Sequence, residues 1–168
     1  MKAKTFFTGL LGSLLFICCA KEPPKLPEAT QEGLSTFGCL VNGELVIYQK
    51  QYGFNPPKPY GELHEDGRFR LATEVEYGHA FTFYISNPQL GSCQIDSVFF
   101  EVYSKPYYYV ARGVQQINFT KFEEHIASGT FTFEADAYDN QTHQKIPDRK
   151  IYVTKGRFDV GIDPSYWY

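Results

Sequence analysis

Glu134 and Asp136 stand two apart in a run of alternating apolar and polar residues, so both project from the same face of a strand. Their separation falls in the range that two carboxylates need to share acid and base work on a glycosidic bond. The plainer reading, a solvated sheet face, is preferred. Histidines at 64, 79, 125 and 143 are scattered, with no HExxH and no pair at a strand spacing of two, so no zinc site is expected. Gly91-Ser92-Cys93 lacks the second glycine of an esterase elbow. Asp148, Asp159 and Asp163 could gather around calcium, but without the acidic spacing of a known loop. Cys39 and Cys93 are expected either to form a disulfide, worth about 4 kcal/mol for a loop of that size, or to remain buried free thiols. No catalytic, metal or cofactor constellation emerges, and a non-enzymatic role is expected.

Aromatic residues are the other chemically distinctive group. Tyr107-Tyr108-Tyr109 follows Lys105-Pro106, and the chain ends in Tyr166-Trp167-Tyr168. Aromatics at loops and termini provide faces on which sugars or peptides stack. In a strand, Tyr107 and Tyr109 would face one side and Tyr108 the other, and core or rim packing is the preferred use.

Cys19 carries a different chemistry. Lys2 and Lys4 precede an apolar stretch from Phe6 to Ile17, too short to span a bilayer but suited to a signal-peptide core. Cleavage beside a cysteine needs a small preceding residue; Cys19 follows Cys18, whereas Cys18 follows the bulky Ile17. Residues 1–18 are therefore expected to be a lipoprotein signal peptide and Cys19 the acylated residue, with Cys18 as the alternative. Phe16-Ile17-Cys18-Cys19 resembles, imperfectly, the lipobox of bacterial lipoproteins. Lys21-Glu22 resembles the lipoprotein export signal of Bacteroidetes, which implies the outer face of the outer membrane; a periplasm-facing location is the alternative. A bacterial lipoprotein cysteine usually carries three acyl chains, and stable attachment needs at least two. Residues 19–35 contain Pro23, Pro24 and Pro27 among charged residues and read as a lipidated, semi-extended tether.

These groups must be positioned by residues 36–168, enough for one domain with a hydrophobic core. The formal charge of −3 becomes more negative when Lys2 and Lys4 leave with the signal, which argues against nucleic acid or anionic headgroups as partners. Period-2 alternation recurs, broken by glycine or proline about every ten residues, and no segment after Ser35 has a helical period. Asn42-Gly43 is the preferred pair for a tight hairpin between Phe37–Val41 and Leu45–Tyr48. Phe69–Val75 and Phe81–Ile85 are expected to be antiparallel neighbours. Ile95–Tyr103 is apolar on both faces and is the candidate central strand. Phe131, Phe133, Ala135 and Ala137 alternate with Thr130, Thr132, Glu134 and Asp136, and a last strand through Ile151, Val153, Phe158 and Val160 could pair with them. The expected fold is all-β: a single antiparallel β-sandwich, or alternatively a curled, barrel-like sheet.

Three stretches, Ile117–Phe122, Ile126–Phe133 and Lys155–Val160, together with Thr36-Phe37-Gly38-Cys39-Leu40-Val41-Asn42-Gly43, resemble the terminal motifs of a Bacteroidetes lipoprotein family of unknown function, the DUF6252 type. The resemblance covers both ends of the mature domain and leaves the middle, Tyr52 to Arg112, unmatched. It implies a secreted single-domain lipoprotein and carries no activity. The expectation is a β-domain tethered to the cell envelope that binds a glycan, a peptide or an envelope protein, or serves a structural role. Alternatives are an envelope glycan hydrolase using Glu134 and Asp136, and an inhibitor-type protein-binding module.

Overall fold

The structure, a computed structural model, describes residues 25–49, 58–73, 78–123 and 125–162. Cys18, Cys19, Lys21, Glu22, Asp163, Tyr166, Trp167 and Tyr168 lie outside them. The described residues contain no helix and nine strands: β1 (Thr36–Val41), β2 (Glu44–Gln49), β3 (Tyr60–Leu63), β4 (Phe69–Ala72), β5 (His79–Ile85), β6 (Gly91–Val102), β7 (Tyr107–Glu123), β8 (Ile126–Asp139) and β9 (Lys145–Gly161). They form one sheet in the order β2-β1-β9-β8-β7-β6-β5-β4-β3, every ladder antiparallel. From β3 to β9 the chain runs up and down between neighbours; β1 then lines the free side of β9, and β2 the free side of β1. The sheet curls on itself until Gly61 of β3 bridges Ile162, just past β9.

The all-β antiparallel expectation holds. Of the two arrangements, the curled, barrel-like sheet is the one adopted, not two sheets packed face to face. The alternation in β8 could not separate them, because a curled sheet also gives each strand one covered and one solvated face.

Local chemistry explains several elements. The β1–β2 turn places Asn42 and Gly43 at φ of 50° and 87°, the positive pair that a two-residue hairpin matching strand twist requires. Phe69–Ala72 pairs with β5 as expected. Between Ile95 and Ser97 the β6–β7 register shifts, with the extra residue on β7, and burial along β6 changes phase there, so Ile95 and Val98, three apart, are both buried. The expected two-sided covering of β6 is therefore corrected: Phe99 is half-buried, Tyr103 lies exposed beyond the strand, and β7 occupies the middle of the sheet order. On β9 the register slips against both neighbours near Lys155, whose φ is 53°.

Phenylalanines fill the interior. Phe37 on β1 reaches Phe81 and Phe83 on β5 at ring-centroid distances of 5.2 and 6.0 Å, although four strands separate β1 from β5 in the sheet. Phe131 and Phe133 of β8 join this group, and Phe69, Phe119, Phe122 and Phe158 form a second one. Small barrels have interiors that side chains close completely, and this one is packed with rings in that way.

The segment before β1 lies against the sheet. Asp159 on β9 is 1 % exposed, and its carboxylate accepts five hydrogen bonds: Oδ1 from Gly33 N (2.9 Å) and Ser128 Oγ (2.6 Å), Oδ2 from Thr30 Oγ1 (2.6 Å), Glu32 N (3.2 Å) and Leu34 N (3.2 Å). Gln31 and Lys121 bond across the same junction, and Arg157 donates to the Pro27 carbonyl at 3.2 Å. Residues 27–34, read from sequence as part of the tether, thus form a strap whose backbone donors are collected by one carboxylate. Burial works against the Asp159 charge, but the bonds from Ser128, Thr30, Gly33 and Leu34 outweigh it and lower the pKa. Asp159 is saturated by donors and does not act in the calcium cluster considered above.

Cys39 and Cys93 are free and buried, so the disulfide is not formed and the free-thiol alternative holds. Cys39 sits on β1 and Cys93 on β6, with β9, β8 and β7 between them in the sheet. Burial pushes the Cys39 thiol up to about 12, while Cys93 is enclosed by the Gln89 main chain, with Sγ to Gln89 O at 3.2 Å. Because the thiolate is the reactive form, an alkylating reagent at neutral pH should leave both peptides unlabelled in the folded protein and label both in denaturant. Peptide mass mapping reads this directly, and native labelling of Cys39 would contradict its burial.

Candidate functional site

The tyrosine run lies at the end of the barrel where two hairpins meet. Tyr107 pairs with Asp139 across β7–β8, which brings the β6–β7 turn, 103–106, beside the β8–β9 turn, 140–144. The turns are joined by hydrogen bonds from Asn140 N to Pro106 O (3.0 Å) and from Asn140 Nδ2 to Lys105 O (3.3 Å). Asp139 shapes the second turn: its Oδ1 accepts from Thr142 N (2.8 Å), Gln141 N (3.0 Å) and Thr142 Oγ1 (3.0 Å), and these bonds, the Thr142 amide foremost, hold its pKa down.

Between the turns is a pocket of about 340 Å³ lined by Glu101, Val102, Tyr103, Tyr107, Tyr108, Asn140 and His143. The three consecutive tyrosines serve different purposes there. Tyr109 is buried and its ring lies 5.9 Å from Phe100, so it belongs to the core. Tyr107 is half-buried, packs edge-on to Tyr109 at 5.6 Å and carries the Arg149 guanidinium 4.4 Å above its ring. Tyr108 faces outward, stacks at 6.0 Å on Tyr138, and its hydroxyl lies 3.2 Å from His143 Nδ1. Tyr103 is 58 % exposed. Partial burial first, then the charge and hydrogen bond of Glu101, raise its pKa, so its hydroxyl stays protonated as a donor.

Tyr103, Glu101, Asn140 and His143 were not singled out from the sequence as site residues. The turn signals Lys105-Pro106 and Asp139-Asn140 were visible, but their meeting depends on the register of β7 with β8. The pocket offers aromatic faces, hydroxyl and amide groups, an imidazole and a carboxylate, a set able to stack on a ring and hydrogen-bond its substituents.

Glu134 and Asp136 do share a strand face, but lysines on β9 occupy them. Lys150 bonds Glu134, Lys145 Nζ lies 2.6 Å from Asp136 Oδ2, and Lys150 lies 3.8 Å from Asp136 Oδ1. The Glu134 bond is the main cause of the raised Lys150 pKa. Cross-strand ion pairs on an exposed face stabilise the β8–β9 ladder modestly. His64 and His125 are exposed, and His79 stacks on Phe100 at 5.8 Å. Among the described residues no group of three His, Cys, Asp or Glu could hold a metal ion.

Comparison with family models, curated proteins and solved structures finds no match to this chain.

Proposed function

We propose that this protein is a non-enzymatic binding module of the cell envelope, anchored through acyl chains on Cys19 and taking a glycan at the rim pocket. The observation that carries the binding reading is the pocket itself, whose wall combines the Tyr103 and Tyr108 rings with the polar groups of Glu101, Asn140 and His143. Its position adds support. Ser128 of β8 touches Asp159 at the strap and Tyr138 of the same strand stacks beneath the pocket, ten residues on, so roughly 30 Å of strand separates pocket from strap. A domain held by the strap end would present the pocket away from its anchor.

Titration of the purified protein with neutral oligosaccharides, followed by NMR or tyrosine fluorescence, tests the binding reading. Tyr108→Ala should weaken binding up to about tenfold, since one stacked ring is worth about 0.5–1.5 kcal/mol beyond its area. Saturable binding of peptides and no sugar would instead favour the protein-binding alternative. The hydrolase alternative is weaker because Glu134 and Asp136 are engaged by lysines on an open face.

The anchoring part of the proposal rests on Cys19 and its flanking residues. Protease added to intact cells should cleave the wild-type protein and spare Lys21→Ala/Glu22→Ala. Protection of both would place the domain on the periplasmic side.

A further inference from the structure

A second polar groove crosses the outer flank of β6, β7, β8 and β9, away from the tyrosine rim. It comprises two adjoining depressions of about 370 Å³ each that share Gln116 and Thr132. Register explains its floor. Ser92, Asn118, Thr130 and Arg157 are successive cross-strand partners over four strands, and Gln116 and Thr132 form the next row. The floor is thus built of amides and hydroxyls, and its two ends differ. At one end stand Lys155 and Arg157; at the other are Tyr152, 55 % exposed, and Glu134, whose carboxylate is paired with Lys150.

Two features set the cationic end apart from an ordinary solvated face. The chain is acidic overall, yet neither Lys155 nor Arg157 has a carboxylate partner among the described residues. Arg157 is half-buried and directs one nitrogen to the Pro27 carbonyl. Lys155 is held at φ of 53°, left-handed backbone that a lysine occupies at a penalty, in the β9 bulge at the wall of the groove. Strain of this kind persists where surrounding structure enforces it, and it clusters at ligand-binding positions.

We propose that this groove binds an acidic oligosaccharide, with a sugar carboxylate on Lys155 and Arg157, ring hydroxyls on the Gln116, Asn118, Thr130 and Thr132 floor, and a further ring stacked on Tyr152. Guanidinium and ammonium groups favour a carboxylate through charge-assisted bonds, amides and hydroxyls match polyol edges, and an exposed aromatic supplies the stacking face. The five positions from Tyr152 to Arg157 span roughly 15 Å, enough for a short oligomer. The site is distinct from the rim pocket and does not depend on it.

The test is calorimetric titration of the full chain with a short oligogalacturonate and with its methyl ester, which has the same shape but no charge. The acid should bind and weaken as salt is raised, and the ester should bind at least tenfold less tightly. Lys155→Gln and Arg157→Gln should each lower affinity for the acid about tenfold, as should Tyr152→Ala, whereas Arg68→Gln, which removes an exposed cation between β3 and β4, should leave it unchanged. Lys155→Gly adds a readout that a merely structural lysine would not give: it relieves the backbone, so the variant should unfold at an equal or higher temperature while losing affinity. Equal binding of acid and ester, no binding of either, or unchanged affinity in Lys155→Gln would overturn the proposal.

Discussion

Phe81→Ala is expected to lower the unfolding free energy by about 3–5 kcal/mol, the usual range for truncating a phenylalanine in a packed core. Phe81 is fully buried, and its ring lies 4.3 Å from Phe100, 5.2 Å from Phe37, 6.2 Å from Phe83 and 6.4 Å from Phe133. These partners come from β6, β1, β5 and β8, so one ring ties distant parts of the curled sheet together. Relaxation into the space left behind is limited, because each neighbour is fixed by its own ladder and by further rings. Urea unfolding followed by circular dichroism measures the change. A loss below about 1 kcal/mol would mean that the interior is loosely packed and the barrel is not closed as described.

Asp159→Asn is expected to lower stability by about 3 kcal/mol at neutral pH, despite near-identical shape. Whichever way the amide is turned, its NH2 group faces a backbone N–H that cannot become an acceptor: Gly33 on one side, Glu32 and Leu34 on the other. The effect has a definite pH dependence. The folded-state pKa of Asp159 is lowered, so the stabilisation is fully present above the unfolded carboxylate value of about 3.9 and is lost as pH falls through the folded value. Wild type and variant should therefore differ most at neutral pH and converge below about pH 4. Hydrogen exchange gives a second reading: the Gly33 and Leu34 amides should exchange much faster in the variant. A wild-type rate at both amides would show that the strap is held by something other than Asp159.

The sequence made the paired strands legible where the pattern was unbroken. Asn42-Gly43 specifies its turn through two positive φ values, and Phe131 to Ala137 alternate without interruption because β8 contributes no extra residue to its bulges. Elsewhere bulges disguise the period. β7 slips against β8 between Val110 and Gln116 and again after Phe119, so a strand of 17 residues reads as fragments. The rim pocket was half legible: the tyrosine run was conspicuous, but Asn140 and His143 join it only through the Tyr107–Asp139 register. The role of Asp159 was hidden, because three of its donors are backbone amides, which leave no mark on residue type, and all three lie more than a hundred residues away. Asp159 attracted notice as a possible calcium ligand, yet its partner is the chain itself.

The pairing of β1 with β9 bears on the order in which the molecule can assemble. Seven consecutive strands, β3 to β9, each meet the strand made just before, so they can zip together through short loops as they become available. β1 and β2 cannot join that process early. Thr36 is matched to Asp159, and the loop between them is nearly the whole domain, so the first hairpin must wait for the last strand. Until then β9 exposes an unpaired edge, Phe37 is missing from the ring cluster, and the strap has no carboxylate to hold it. Closure of the barrel is thus the last step: whatever strands have already zipped, the first hairpin and the strap can dock only after β9 is in place.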